Sequence, residues 1–255
     1  MKKLFLMLTL FIMILSCGGT KTSGTTVTLN FIDEPKTIDP QLATDTSATK
    51  LNALLTEGLT RQDEKGNPVP GIAEKWDISE DGLVWTFHLR DAKWENGEPI
   101  TAADFKFGWL RAVDPKTAAE YAYMIYPIKG AEEFNTGKGS KEDVGIKVID
   151  DKTLEVTLKS PTAYLPALLS FQTFAPINEK FYASVGESYA LDSGKVLSSG
   201  PYKLVKWTHN EGLDLVKNEN YWDKANVKID NVKVKLINDT SASLKAYQND
   251  ELDWS

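Results

Sequence analysis

A lone cysteine, Cys17, closes the amino-terminal segment of this 255-residue chain. Ahead of it stand Met1-Lys2-Lys3 and then Leu4 to Leu15, twelve residues that are apolar apart from Thr9. A bilayer span takes about 20 apolar residues, so the run is too short to cross. A basic start followed by about 7–15 apolar residues has the form of a secretory signal peptide, here residues 1–16. One cysteine also rules out an internal disulfide framework. Everything beyond Cys17 must therefore hold together by burying apolar surface. The means are present: 42% of residues are hydrophobic and 10% aromatic, with seven Trp and nine Tyr, against 25% charged. That balance belongs to a folded chain of one large or two modest domains, not to a disordered or multi-span one.

The net charge of −7, from 29 basic and 36 acidic residues, argues against nucleic acid as a partner. Two His make a multi-His metal site untenable, and neither a metal nor a cofactor is expected. Ile14-Leu15-Ser16-Cys17 resembles the lipobox of bacterial lipoproteins. The resemblance implies cleavage before Cys17 and acylation of its thiol. The mature protein would then be extracytoplasmic and lipid-anchored, on the periplasmic side or at the cell surface, with membrane lipid as a partner. Cleavage removes Lys2 and Lys3, so the mature charge is 27 − 36 = −9. Stable anchoring needs more than one acyl chain, which a triacylated Cys17 supplies. The competing reading is a buried thiol behind a chance apolar run. Residues 17–26 are expected to form a flexible tether, because Gly18 to Thr26 carry no hydrophobic side chain. Their reach is about 15–18 Å.

Periodicity places the elements. Val27 to Ile32 reads as a strand. Pro35 and Pro40 keep the next segment extended. Leu51, Leu54, Leu55 and Leu59 recur at helical spacing, predicting a helix over 46–59. Val84 to Arg90 alternates, with Trp85, Phe87 and Leu89 on one face, and is entered through the turn Glu80-Asp81-Gly82. Thr101 with Asp104 three residues on is a capping-box variant, and Phe105, Trp109 and Val113 then form a buried stripe that Asp114-Pro115 ends. Strands are predicted at 146–149 and 154–158, and a short kinked helix around Pro166 over 161–170. A hairpin is predicted over 202–217 about Asn210-Glu211-Gly212, then a strand over 232–237 and a helix over 240–249 opened by Asp239 or Thr240.

Chemistry is sparse. There is no P-loop, no His-Glu-x-x-His and no Gly-x-Ser-x-Gly. Ser47-Ala48-Thr49-Lys50 has the Ser-x-x-Lys form of penicillin-binding enzymes, but the partner elements are missing. Ser47 and Lys50 read better as a first-turn polar residue and a solvated charge. Asp77 to Gly82 starts like an EF-hand loop, yet His88 stands where a bidentate Glu is needed, so Asp77 and Asp81 read as turn residues. His209, beside a turn, reads as solvated. Glu132 and Glu133, adjacent in sequence, point apart and make a poor acid/base pair.

Longer motifs carry a resemblance. These are Pro70-Gly71-Ile72-Ala73-Glu74-Lys75-Trp76, Ser79-Glu80-Asp81-Gly82, and Trp85-Thr86-Phe87-His88-Leu89-Arg90. A fourth runs from Trp94-Glu95-Asn96-Gly97 through Pro99-Ile100-Thr101 to Phe105. Glu34-Pro35, Ile38-Asp39-Pro40, Ser199-Gly200-Pro201-Tyr202 and Asn220-Tyr221-Trp222-Asp223 add to them. From Val27 onward the chain resembles the amino-terminal half of the family 5 extracellular solute-binding proteins, nearest the oligopeptide-binding lipoproteins of ABC importers.

The resemblance implies an α/β, periplasmic-binding-protein-like two-lobed architecture with an inserted small α/β domain. Residues 27–57 and 176–255 would form the first lobe and 58–175 the insert. The second large lobe and a return to the first would lie beyond Ser255, so the chain reads as truncated. The implied function is capture of short peptides outside the membrane and delivery to ABC permease subunits, by a monomer that is not an enzyme. Ligand contacts fall on Asp45, Thr46 and Ser47, mainly through main-chain groups, and on Tyr121. The family's acid in this loop falls at Thr44, a departure. The acid that captures the peptide amino group in relatives falls beyond Ser255. Relatives also take dipeptides, nickel complexes, haem or sugars. A surface hydrolase using Ser47 and Lys50, or an adhesion or signalling lipoprotein, are the rival readings.

Overall fold

The computed structural model describes residues 24–254; the signal peptide expected over 1–16, Cys17 and most of the expected tether lie outside them. In chain order the elements are β1 (Thr26–Phe31), α1 (Thr46–Leu55), β2 (Thr60–Gln62), β3 (Pro68–Pro70), β4 (Ala73–Ile78), β5 (Val84–Leu89) and α2 (Ala102–Val113). There follow α3 (Ala131–Asn135), β6 (Ile146–Asp150), β7 (Thr153–Thr157), α4 (Leu165–Leu168) and α5 (Glu179–Val185). The last are β8 (Tyr202–Thr208), β9 (Gly212–Lys217), β10 (Asn231–Leu236) and α6 (Thr240–Gln248).

Two four-stranded sheets organise the chain. One has the order β1-β10-β9-β8, with β1 parallel to β10 and the other pairs antiparallel. The second, β4-β5-β7-β6, is antiparallel throughout. Each sheet supports its own core. Phe31, Leu51, Leu55, Trp207, Leu215 and Val232 belong to the first. Phe87, Trp94, Phe105, Trp109, Ile125 and Leu154 belong to the second. The backbone passes from one core to the other near Thr56–Gly58 and back near Phe174–Ile177.

Where side chains alternate or recur strictly, the structure follows the sequence. Trp85, Phe87 and Leu89 are all buried on one face of β5. The Thr101 N–H and hydroxyl both meet the Asp104 carboxylate, at 2.7 and 3.0 Å, and Phe105, Trp109 and Val113 are fully buried beneath α2. The hairpin turns at Asn210 in the left-handed region (φ 64°), and Asp239 caps α6 by accepting from the Ala242 N–H at 2.7 Å.

Four expectations need correction. The helix predicted over 46–59 stops at Leu55, because Thr56 turns extended and Leu59 is claimed by the second core. Gly58 follows, where a Cβ would lie 2.5 Å from the Leu169 carbonyl oxygen; only glycine allows so close an approach. The kinked helix over 161–170 is a single turn, α4, with Pro166 inside its first turn, where a missing N–H costs nothing. Asp77 lies not in a turn but on β4, a strand too polar to read from the sequence, and its carboxylate is 2.7 Å from His88 Nε2. Asp81, by contrast, does sit in the turn, taking the Leu83 N–H at 3.0 Å.

His209 is the fourth. It is not simply solvated: its Nδ1 lies 2.7 Å from Glu34 Oε1, and its ring packs on Trp207. Trp207 Nε1 donates to the same oxygen at 2.7 Å, and the Asn210 N–H donates to Oε2 at 3.1 Å. Partial burial opposes the Glu34 charge, but these donors outweigh it and hold the carboxyl below its ordinary value of 4.5. A depressed carboxylate stabilises the fold fully above that value and loses its contribution as pH falls through the native one. Glu34→Gln is therefore expected to lower the urea midpoint at pH 7 and to approach the wild-type midpoint under acid conditions.

Candidate functional site

The loop before α1 is fixed from three directions. Asp39 pairs with Arg111 on α2 at 2.6 Å. Gln41 Nε2 donates to the Thr173 and Ala175 carbonyls at 3.3 and 3.1 Å. Gln172 Nε2 donates to the Ala43 carbonyl at 2.8 Å. Asp45 then caps α1, its Oδ1 accepting from the Ala48 N–H at 2.8 Å. Thr46 and Ser47 fill the first two helical positions, whose N–H groups have no partner within a helix. The Asp45 carboxylate is thus occupied locally, as a cap; what the loop can offer a ligand is backbone N–H at a helix start.

Tyr121 precedes a helical turn at Ala122–Ile125 and is half-buried. Its ring meets Phe171 edge-on at 5.6 Å and Tyr123 at 6.2 Å. Since Gln172 is tied to Ala43, the 171–172 segment links Tyr121 to the loop carrying Asp45, Thr46 and Ser47. Ser47 is buried, and Lys50 lies over the rings of Phe31 (5.1 Å) and Trp254 (4.5 Å). Lys50 is therefore not simply solvated, and no hydrogen bond joins it to Ser47 among the described residues. Glu132 on α3 pairs with Lys159 at 2.7 Å.

Beside the loop, between the two cores, lies a cavity of about 550 Å3 bounded by one face of α1 and by the 167–175 segment. At its inner end is a polar cluster that the sequence did not reveal. The buried Glu57 carboxylate accepts from the Tyr221 hydroxyl at 2.5 Å and from Trp222 Nε1 at 3.2 Å. Arg61 Nη1 bonds to Asp223 at 3.0 Å and to the Tyr221 oxygen at 3.3 Å. The Arg61 and Arg90 guanidinium groups lie over the Trp222 ring at 4.9 and 3.7 Å. Burial pushes the Glu57 carboxyl above its ordinary range despite these donors and the Arg61 charge. Both Glu57 oxygens are engaged, so it fastens Tyr221 and Trp222 to the end of α1. About 160 residues separate these partners in the chain, beyond any spacing rule. The Tyr221-Trp222-Asp223 motif marked the place without revealing the contact.

This arrangement offers anchored loops, a helix start and a walled cavity. The rest of its identity comes from likeness to known proteins. Residues 67–255 match the family described as bacterial extracellular solute-binding proteins, family 5 Middle. The chain belongs to this family. The oligopeptide-binding protein OppA of Bacillus subtilis is 41% identical over 99% of the chain and 48% of its own length. The dipeptide-binding protein DppE of the same organism is 40% identical over 91% of the chain and 43% of its length. The structure of Listeria monocytogenes OppA bound to peptide superposes with a TM-score of 0.88 at 40% identity, over 91% of this chain and 46% of that one. The resemblance and the two-lobed periplasmic-binding α/β class read from the sequence motifs are thereby borne out. These relatives are solute-binding proteins. The chain spans about half the length of the curated relatives it matches. Among the described residues no helix is long and apolar enough to cross a membrane.

Proposed function

We propose that this chain forms part of the substrate-binding protein of a peptide ABC importer. It captures short peptides outside the cytoplasmic membrane and passes them, chemically unaltered, to the permease. The observation that carries this is the match, at 40% identity and a TM-score of 0.88, to an OppA solved with peptide bound. Residues 27–57 with 176–255 act as the first lobe and 58–175 as the inserted domain; the two separate hydrophobic clusters support that division. The protein works as a monomer held to the membrane through acylated Cys17.

In this reading the Thr46 and Ser47 N–H groups donate to peptide carbonyls at the start of α1, with Asp45 holding the turn by its capping bond. Tyr121 packs against the peptide from the insert. Main-chain bonds are common to all peptides, so they give affinity without choice of sequence, and side chains enter pockets where water adapts to them. Titration of di-, tri- and pentapeptides by calorimetry tests the reading; absence of heat with every length would sink it. Tyr121→Ala is expected to weaken binding about 3–10-fold, the worth of one aromatic contact. A preference for dipeptides is the second reading, favoured by the 40% identity to DppE. Stronger heat with dipeptides than with longer peptides would establish it.

A further inference from the structure

Arginine is scarce in this chain: Arg61, Arg90 and Arg111 are its only three. In two of them Nε is buried without a partner among the described residues. These are Arg111, gripped by both oxygens of Asp39, and Arg90, which lies on the Trp222 ring at 3.7 Å. Arg61 differs. Its Nη1 donates to Asp223 at 3.0 Å and to the Tyr221 oxygen at 3.3 Å. Its Nε and Nη2 make no hydrogen bond among the described residues, yet they are not shut off from water, and 38% of the side chain is exposed. A guanidinium fixed at one corner and open along another edge is a planar fork held ready for an acceptor.

Arg61 stands on the wall of the cavity beside α1, whose volume of about 550 Å3 is that of a small-ligand pocket. One other charged residue lines it, Glu57. Glu57 is 6% exposed, with one oxygen on the Tyr221 hydroxyl and the other on Trp222 Nε1, so the charge that a guest meets is that of Arg61. Of the two guanidinium groups stacked on Trp222, only Arg61 has an ion-pair partner among the described residues, so a second cation backs it at the same ring. Met124, Leu168 and Phe171 supply apolar wall for a short aliphatic stem. Phe171 is also the ring that meets Tyr121, so the cavity shares a wall with the proposed peptide contact.

We propose that this cavity is a carboxylate subsite, in which the open edge of Arg61 takes a carboxylate of the bound peptide, from an acidic side chain or from the peptide's own end. Arginine matches a carboxylate with two parallel N–H donors, and such charged bonds are stronger than neutral ones. The proposal rests on the peptide-binding reading above. Tripeptides of alanine carrying Glu, Gln or Leu at each position in turn, with the carboxyl end free or amidated, are titrated against the full chain by calorimetry. Glu binding about tenfold tighter than Gln at one position would place a side chain at Arg61. An about tenfold loss on amidation would place the peptide's end there. In Arg61→Gln the difference is expected to fall below twofold. Neither difference in the wild type, or one of undiminished size in Arg61→Gln, would overturn the proposal.

Silence from every peptide would remove the broader reading instead. The subsite is then judged by a second measurement, which needs no peptide and no variant. N-acetylglutamate is added to the wild type at millimolar concentration, with N-acetylglutamine and sodium chloride at equal ionic strength as controls. The three arginine Nε–H resonances are followed by NMR. A saturable shift of the Arg61 resonance with N-acetylglutamate alone supports the subsite; a shift that does not saturate, or none, overturns it.

Discussion

Asp39→Ala is expected to destabilise the fold by about 3–5 kcal/mol, the range for stripping one partner from a buried ion pair. Asp39 is 2% exposed, and its two oxygens take the Arg111 Nη1 and Nη2 groups at 2.9 and 2.6 Å. Arg111 cannot retreat to water, since its guanidinium lies 4.7 Å above the Tyr182 ring and only a tenth of the side chain is exposed. Among the described residues its Nε already lacks a partner. Without Asp39, a cation would be left in an aromatic pocket with Gln41 Oε1, at 3.3 Å, as its remaining contact. Asp39 Oδ1 also accepts the Gln41 N–H at 3.0 Å, so the loop leading to Asp45 would loosen. Urea unfolding measures the loss. The pair Asp39→Leu with Arg111→Met should recover most of it, because the main cost lies in the stranded charge. A loss below about 1 kcal/mol in Asp39→Ala would mean that the pair is solvated in solution.

Trp109→Ala is expected to cost a similar amount, about 3–5 kcal/mol, through a different cause. Trp109 is fully buried, with Phe105 at 6.3 Å and Phe174 at 5.4 Å, both edge-on. Its Nε1 donates to the Phe174 carbonyl at 2.7 Å. Alanine would leave a cavity that α2 cannot collapse to fill, because Gly108 already brings the helix against the Ala175 carbonyl, 2.7 Å from where a Cβ would stand. Trp109→Phe keeps most of the volume and loses the indole donor, so it should cost less. If the two substitutions unfold at the same urea concentration, the hydrogen bond rather than the packing carries the effect.

The parts of this architecture visible from sequence are those whose cause is local. β5 shows because alternation is a property of six consecutive residues. The start of α2 shows because Thr101 and Asp104 are three residues apart and meet at 2.7 Å. The end of α1 is not legible because Leu59 continues the helical spacing, while its burial belongs to a core built by distant residues. β4 is hidden from the sequence because Glu74, Lys75 and Asp77 carry no alternation, and its pairing with β5 decides its conformation. The same division applies to the site. The loop at Asp45, Thr46 and Ser47 and the ring of Tyr121 came from family likeness, not from any spacing in the chain. Glu57 with Tyr221, and Asp39 with Arg111, are contacts between residues 164 and 72 positions apart, which only the folded chain displays.

The two passages between the cores, at Thr56–Gly58 and Phe174–Ile177, have a mechanical consequence. A body joined by one covalent strand can swivel in any direction about single bonds; one joined by two can bend only about the line through both, by torsion changes in each. Gly58 lies against the Leu169 carbonyl, and Trp109 donates to the Phe174 carbonyl, so each passage is itself clamped. The sheet built on β5 and the sheet built on β10 are thus coupled through two crossings, and any turn of one against the other is taken up in the backbone torsions of both.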